Sequence, residues 1–97
     1  MMPVIISPAA RADLMDIADY IAGASPRTAI EFVDKLEERC LKIGTAQESY
    51  RLRPELGADL RSVVFSAYLI FYRVHDNAVR IERILHGSRN LPNIDFG

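Results

Sequence analysis

Apolar residues change their spacing along this 97-residue chain, and each change marks a different kind of element. Pro3 to Ser7 is short, apolar and β-branched, which predicts a strand. Ser7-Pro8 then reads as an N-cap followed by a first-turn proline, whose missing N–H costs nothing there. Ala10, Leu14, Ile17 and Ile21 follow at one helical stripe, with Gly23 as the expected stop. Ser25-Pro26 repeats the cap signal. A second stripe of Ala29, Phe32, Val33, Leu36, Cys40 and Ile43 runs to about Gly44. So short a link between two amphipathic helices predicts an antiparallel hairpin.

Residues 45–58 hold no period and include Pro54 and Gly57, so they read as a loop. From Asp59 the pattern becomes that of strands, and Leu60 to Asn90 divides into three of them. Tyr68, Ile70, Tyr72 and Val74 alternate with Leu69, Phe71 and Arg73, leaving both faces largely apolar as in a central strand. His75-Asp76-Asn77-Ala78 predicts a hairpin turn, and Val79, Ile81 and Leu85 continue the apolar face beyond it. A two-residue turn at Asp76-Asn77 sets Arg73 opposite Arg80, a like-charge pair that a three-residue turn avoids. Both registers stay open. Leu91 to Gly97 contains Pro92 and reads as irregular. The order is β-α-α-β-β-β: an α+β fold with a small, mainly antiparallel sheet packed on a helical hairpin. The length predicts one domain, residues 1–97.

Composition narrows the setting. No apolar run approaches the ~18 residues of a membrane span, and the N-terminal residues lack the basic and long apolar regions of a secretory signal. The single cysteine, Cys40, permits no internal disulfide and fits a reducing compartment, so a cytoplasmic location is expected. Cys40 has no Cys-x-x-Cys partner and falls on an apolar stripe, which predicts a core thiol. The net charge of −1 argues against strong nonspecific nucleic-acid binding, and no direct sequence-specific binding is expected. The charge is uneven: residues 1–48 carry −3, whereas residues 49–97 carry +2, with seven arginines and no lysine. Arginine without lysine favours bidentate recognition of carboxylate or phosphate.

The quoted segments resemble the RelE/ParE toxin superfamily of bacterial type II toxin–antitoxin systems, and its ParE-like branch more closely. Residues 7–21 resemble the opening helix, 29–40 the second helix and 51–62 the loop entering the sheet. Tyr68 to Arg73 (YLIFYR) resembles the central strand, and Ile81 to Asn90 (IERILHGSRN) the final strand and its exit. One departure lies in Ser62 to Ala67, which lacks the proline and glycine the family often has near this turn. The resemblance implies a small toxin neutralised by a cognate, ParD-like antitoxin. ParE-like members poison DNA gyrase by binding, without catalysis, and RelE-like members cleave mRNA on the ribosome. No cofactor, metal or membrane partner is implied.

RNA cleavage without a metal needs a base for the 2′-hydroxyl, an acid for the leaving oxygen and cations on the phosphorane. The alternative ribonuclease reading rests on His86, with Arg83 and Arg89 as phosphate clamps; no tyrosine follows Tyr72, and both lysines lie on the second helix. Expectation therefore favours binding over cutting. Candidate contacts to antitoxin or target are Arg83, His86, Ser88 and Arg89, then Arg61 and Arg73, which also have structural partners available in Glu55, Asp59, Asp76 or Glu82. Arg80 reads as structural. Such arginines predict an acidic or amphipathic partner segment. His86 has a structural reading too, as the residue holding the strand-exit turn, and His75 reads as solvated. Asp13, Asp16 and Asp19 share a helix face; with no histidine or cysteine nearby they read as a solvated face rather than a metal site. Tyr68 and Tyr72 share a strand face and read as core.

Overall fold

The computed structural model describes residues 1–96. Its elements are β1 (Val4–Ile6), α1 (Pro8–Ala22), α2 (Pro26–Lys42), β2 (Arg51–Leu52), β3 (Arg61–Phe65), β4 (Tyr68–His75) and β5 (Ala78–His86), with 3₁₀ turns at Ile43–Thr45 and Leu91–Asn93. The sheet order is β1-β5-β4-β3-β2: antiparallel throughout except for β1, which pairs parallel with β5. The expected α+β architecture is present, with β2 as an addition. Two residues are too few to impose a period on the sequence, so this edge strand lay hidden in the expected loop.

Both predicted caps form. The Ser7 and Ser25 hydroxyls accept from the Ala10 and Thr28 N–H groups, and a proline follows each. Gly23 ends α1 in the right-handed region, at φ −59°, so its conformational freedom is not what stops the helix. Gly44 is different. A Cβ there would collide with the Met2 carbonyl, and Met2 N–H bonds back to the Gly44 carbonyl at 2.9 Å. The strand lead-in thus passes against the end of the helical hairpin only because residue 44 has no side chain.

One core lies between helices and sheet, built from Leu14, Ile17, Leu36, Cys40, Ile70 and Tyr72 with their neighbours. Phe32 of α2 joins it to the sheet through edge-on contacts with Phe65 and Tyr68, at 5.5 and 5.7 Å. A second, smaller core lies on the other sheet face: Leu60, Phe71 and Leu85 beneath Phe96, flanked by Leu56, Leu69, Leu91 and Ile94. Of the segment expected to be irregular, residues 91–96 form a packed strap; Gly97 lies outside the described residues.

The hairpin between β4 and β5 has the two-residue turn. Asp76 and Asn77 both take left-handed conformations (φ 51° and 58°), as a type I′ turn requires. Arg73 does face Arg80. Glu82 removes the conflict: its carboxylate accepts from Arg73 through one oxygen and from Arg80 through the other, both at 2.9 Å. A bulge supplies Glu82, because Tyr72 pairs with Ile81 and Phe71 with Arg83, leaving residue 82 over. The β3–β4 turn uses Ser66 at φ 54°, a left-handed residue without glycine.

A candidate recognition groove beside β5

Strand β1 ends opposite Ile81, so the rest of β5 lacks a strand partner on that side. Helix α1 takes over. The Ser7 hydroxyl donates to the Glu82 carbonyl at 3.0 Å, and an Asp13 carboxylate oxygen accepts the Ile84 N–H at 2.9 Å. That carboxylate also receives Arg83 in a two-pronged contact, at 2.8 and 2.9 Å. Asp13 is 7% exposed. It therefore does not belong to a solvated face as expected; it stands in for a missing strand, and its partners lie 70 and 71 positions away. Arg83 is correspondingly occupied, and these bonds push its guanidinium further up from its ordinary value.

Where α1 crosses the end of β5, a groove of about 140 Å³ opens, lined by Asp13, Asp16, Tyr20, Tyr68, His86 and Arg89 among others. The ladder sets Tyr68 opposite His86, and the two rings meet edge-on at 5.4 Å. His86 Nδ1 lies 2.7 Å from the Ser88 hydroxyl and accepts the Ser88 N–H at 3.1 Å. Accepting that N–H requires the lone pair, which places the ring proton on Nε2. His86 thus holds the exit turn, as an acceptor rather than a donor. Burial, with Tyr20 adding to it, pushes the Tyr68 hydroxyl above its ordinary value. It stays protonated at neutral pH and can donate a hydrogen bond but not act as a base.

The candidate arginines separate clearly. Arg61 donates to the Glu48 and Tyr50 carbonyls, and Arg73 to Glu82 and to the Ala58 and Phe96 carbonyls. Among Arg61, Arg73, Arg83 and Arg89, only Arg89 has a guanidinium with no protein partner among the described residues. The groove thus gathers Arg89 and His86, with Ser88 hydrogen-bonded to that histidine, and leaves Arg61 and Arg73 elsewhere. It adds Tyr20, Tyr68 and Asp16, which sequence reasoning did not nominate. Tyr20 carried a readable signal, being a large aromatic off the apolar stripe of its helix; it is 81% exposed. Among the described residues, no group of three or more His, Cys, Asp or Glu side chains could hold a metal ion.

Residues 4–91, nearly all of this fold, match the profile described as the ParE toxin of the type II toxin–antitoxin system, parDE. The chain belongs to the ParE toxin family. Toxin RelE2 of Caulobacter vibrioides is 38% identical over 94 residues, covering 92% of this chain and 99% of that protein. In fold, the ParE-family chain is similar to a component of the chromosomal ParDE system of P. aeruginosa: TM-score 0.77 and 24% identity, over 89% of this chain and 96% of that one. It is also similar to one from the RelBE2 toxin–antitoxin complex of Mycobacterium tuberculosis, with TM-score 0.64 and 23% identity, over 88% and 96%. The chain is a type II toxin of the ParE/RelE superfamily. No helix among the described residues is long and apolar enough to cross a membrane.

Proposed function

We propose that this toxin acts in the cytoplasm by binding DNA gyrase, without catalysis, and that a ParD-like antitoxin neutralises it. Support for binding comes first from the groove beside β5. Its histidine has one nitrogen committed to the Ser88 turn, its half-buried tyrosine is held protonated, and its arginine is free. That set can clasp an anionic or aromatic group on a protein surface. General-base cleavage of RNA needs a proton acceptor that neither tyrosine nor arginine supplies, which leaves that role in the groove's lining to the Asp16 carboxylate, since Asp13 is engaged by Arg83 and Ile84. For the antitoxin, the second groove between α1 and α2, of about 390 Å³, offers an apolar floor of Ala22, Ala29, Ile30 and Val33. Asp19 and Asp34 line the same groove, so an amphipathic segment seated here carries basic flanks rather than the acidic ones first expected.

The test is a gyrase assay with purified toxin. Supercoiling is blocked, or gyrase–DNA cleavage complexes accumulate, when toxin is added, and Arg89→Glu weakens the effect; no effect at saturating toxin overturns the reading. A ribonuclease reading has one observation in its favour, the juxtaposition of His86, Tyr68 and Arg89 in one groove. It predicts mRNA cleavage on translating ribosomes that His86→Ala abolishes while leaving antitoxin affinity intact.

A further inference from the structure

Strand β1 closes one side of the sheet, with β5 on one flank and no strand on the other. Its hydrogen bonds show which residues face which way. Val79 N–H donates to the Pro3 carbonyl and Ser7 N–H to the Ile81 carbonyl, so residues 3, 5 and 7 turn their main-chain groups toward β5. Alternation along the strand turns Val4 and Ile6 the other way, and their N–H and C=O groups have no partner among the described residues. The side chains alternate too. Val4 and Ile6 pack on the main core, whereas Ile5 points to the opposite face and is 50% exposed. Edge strands are commonly guarded by a charge or a proline. Here no charged side chain occurs before Arg11, and Pro3 faces the β5 flank, where it cannot block the outer one. For protection β1 relies on its length of three residues.

An edge with these properties is complementary to itself. Setting a second β1 antiparallel about a two-fold axis at Ile5 brings Val4 opposite Ile6 and Ile6 opposite Val4. Each of those pairs exchanges both of its N–H···O=C bonds, so every outward group of both strands is satisfied. Ile5 then faces Ile5 in a non-hydrogen-bonded pair, where side chains stand closest. A foreign segment rich in charge finds no countercharge on residues 1–10, whereas a copy is as uncharged as the edge it meets. We propose that two copies of this toxin associate through β1 in this register, joining their sheets into one. The two-fold axis uses up both β1 edges, so pairing stops there at the dimer. The contact is short, which places it among transient interfaces, with half-dissociation at ~100 μM. The proposal does not depend on the gyrase or antitoxin assignment.

The experiment uses the untagged full-length toxin. Sedimentation velocity between ~10 and ~500 μM shows the wild type passing from monomer to dimer. Ile5→Lys sets like charges face to face and weakens association at least ~5-fold, and Ile5→Glu does the same. An equimolar mixture of the two variants restores the dimer, because lysine then meets glutamate across the axis; a merely disruptive substitution is not rescued in this way. A wild type that stays monomeric at ~500 μM overturns the proposal. So does an Ile5→Lys variant that circular dichroism shows to be folded and that dimerises as the wild type does. Hydrogen exchange on the wild type supplies a measurement that needs no variant. Raising the concentration protects the Val4 and Ile6 amides and leaves that of Ile5, which already faces β5, unchanged. Protection of Val4 and Ile6 that requires added antitoxin, rather than higher concentration, assigns the edge to a foreign strand and likewise overturns it.

Discussion

Removing the Asp13 carboxylate tests how the helix layer is fastened to the sheet. Asp13→Ala leaves the Arg83 guanidinium without its two-pronged partner and the Ile84 N–H without an acceptor. Breaking a buried ion pair from one side costs ~3–5 kcal/mol. Arg83 keeps 21% of its side chain exposed and can be partly rehydrated, so the low end, about 3 kcal/mol, applies. For a domain of this size that lowers Tm by roughly 12 °C or more, at ~4–8 °C per kcal/mol. Asp13→Asn loses less, ~1–2 kcal/mol, because its amide oxygen can still accept from Ile84. The control is Asp16→Ala, one turn on and exposed. Both alanine changes raise helix propensity by up to ~0.7 kcal/mol, so their difference isolates the contact. Urea unfolding at constant m reads the effect as a shift in midpoint. If Asp13→Ala and Asp16→Ala unfold within ~0.5 kcal/mol of each other, Asp13 is not the fastening.

Other consequences are equally open to measurement. Ser66→Gly relieves a left-handed serine and should stabilise the protein by ~1 kcal/mol, seen as a raised urea midpoint; a fall would deny strain at the turn. Gly44→Ala forces the Met2 lead-in away from the end of the helical hairpin and should cost ~1–3 kcal/mol, with wild-type stability the contrary result. Burial pushes the Cys40 thiol from 9.0 up to about 12, and burial likewise pushes Tyr72 from 10.0 up to about 12. Above pH 9 the unfolded chain has released a cysteine proton that the folded chain retains, so stability is full below pH 9 and falls as pH rises toward 12. In Cys40→Ala the decline should begin only near pH 10, where Tyr72 takes over; identical slopes between pH 9 and 10 would exclude the thiol as the cause.

The parts of the fold that follow local rules were legible. Ser-Pro caps, helical stripes and the alternation through Tyr68 to Val74 each depend on neighbours within a few residues, and each appears as read. The parts that depend on distant pairing were not. Asp13 looked like one of three solvated carboxylates because its partners come from the far end of the chain. Tyr68 joins His86 only through a strand register that a bulge displaces, and the Arg73–Arg80 pairing looked unfavourable until that bulge delivered Glu82 between them. The strap escaped notice because Leu91, Ile94 and Phe96 follow neither period; their order comes from the face they cover. At the groove, His86 and Arg89, with Ser88 bonded to the histidine, were readable as a local cluster, whereas Tyr20 and Asp16 required knowing which face of α1 crosses β5.

The most direct measurement gives one preparation of the purified toxin to two reactions: relaxed plasmid with gyrase, and mRNA on translating ribosomes. Binding without catalysis predicts dose-dependent loss of supercoiling that the cognate antitoxin reverses, with mRNA left whole. Intact supercoiling at saturating toxin, together with mRNA cut only while His86 is present, contradicts it.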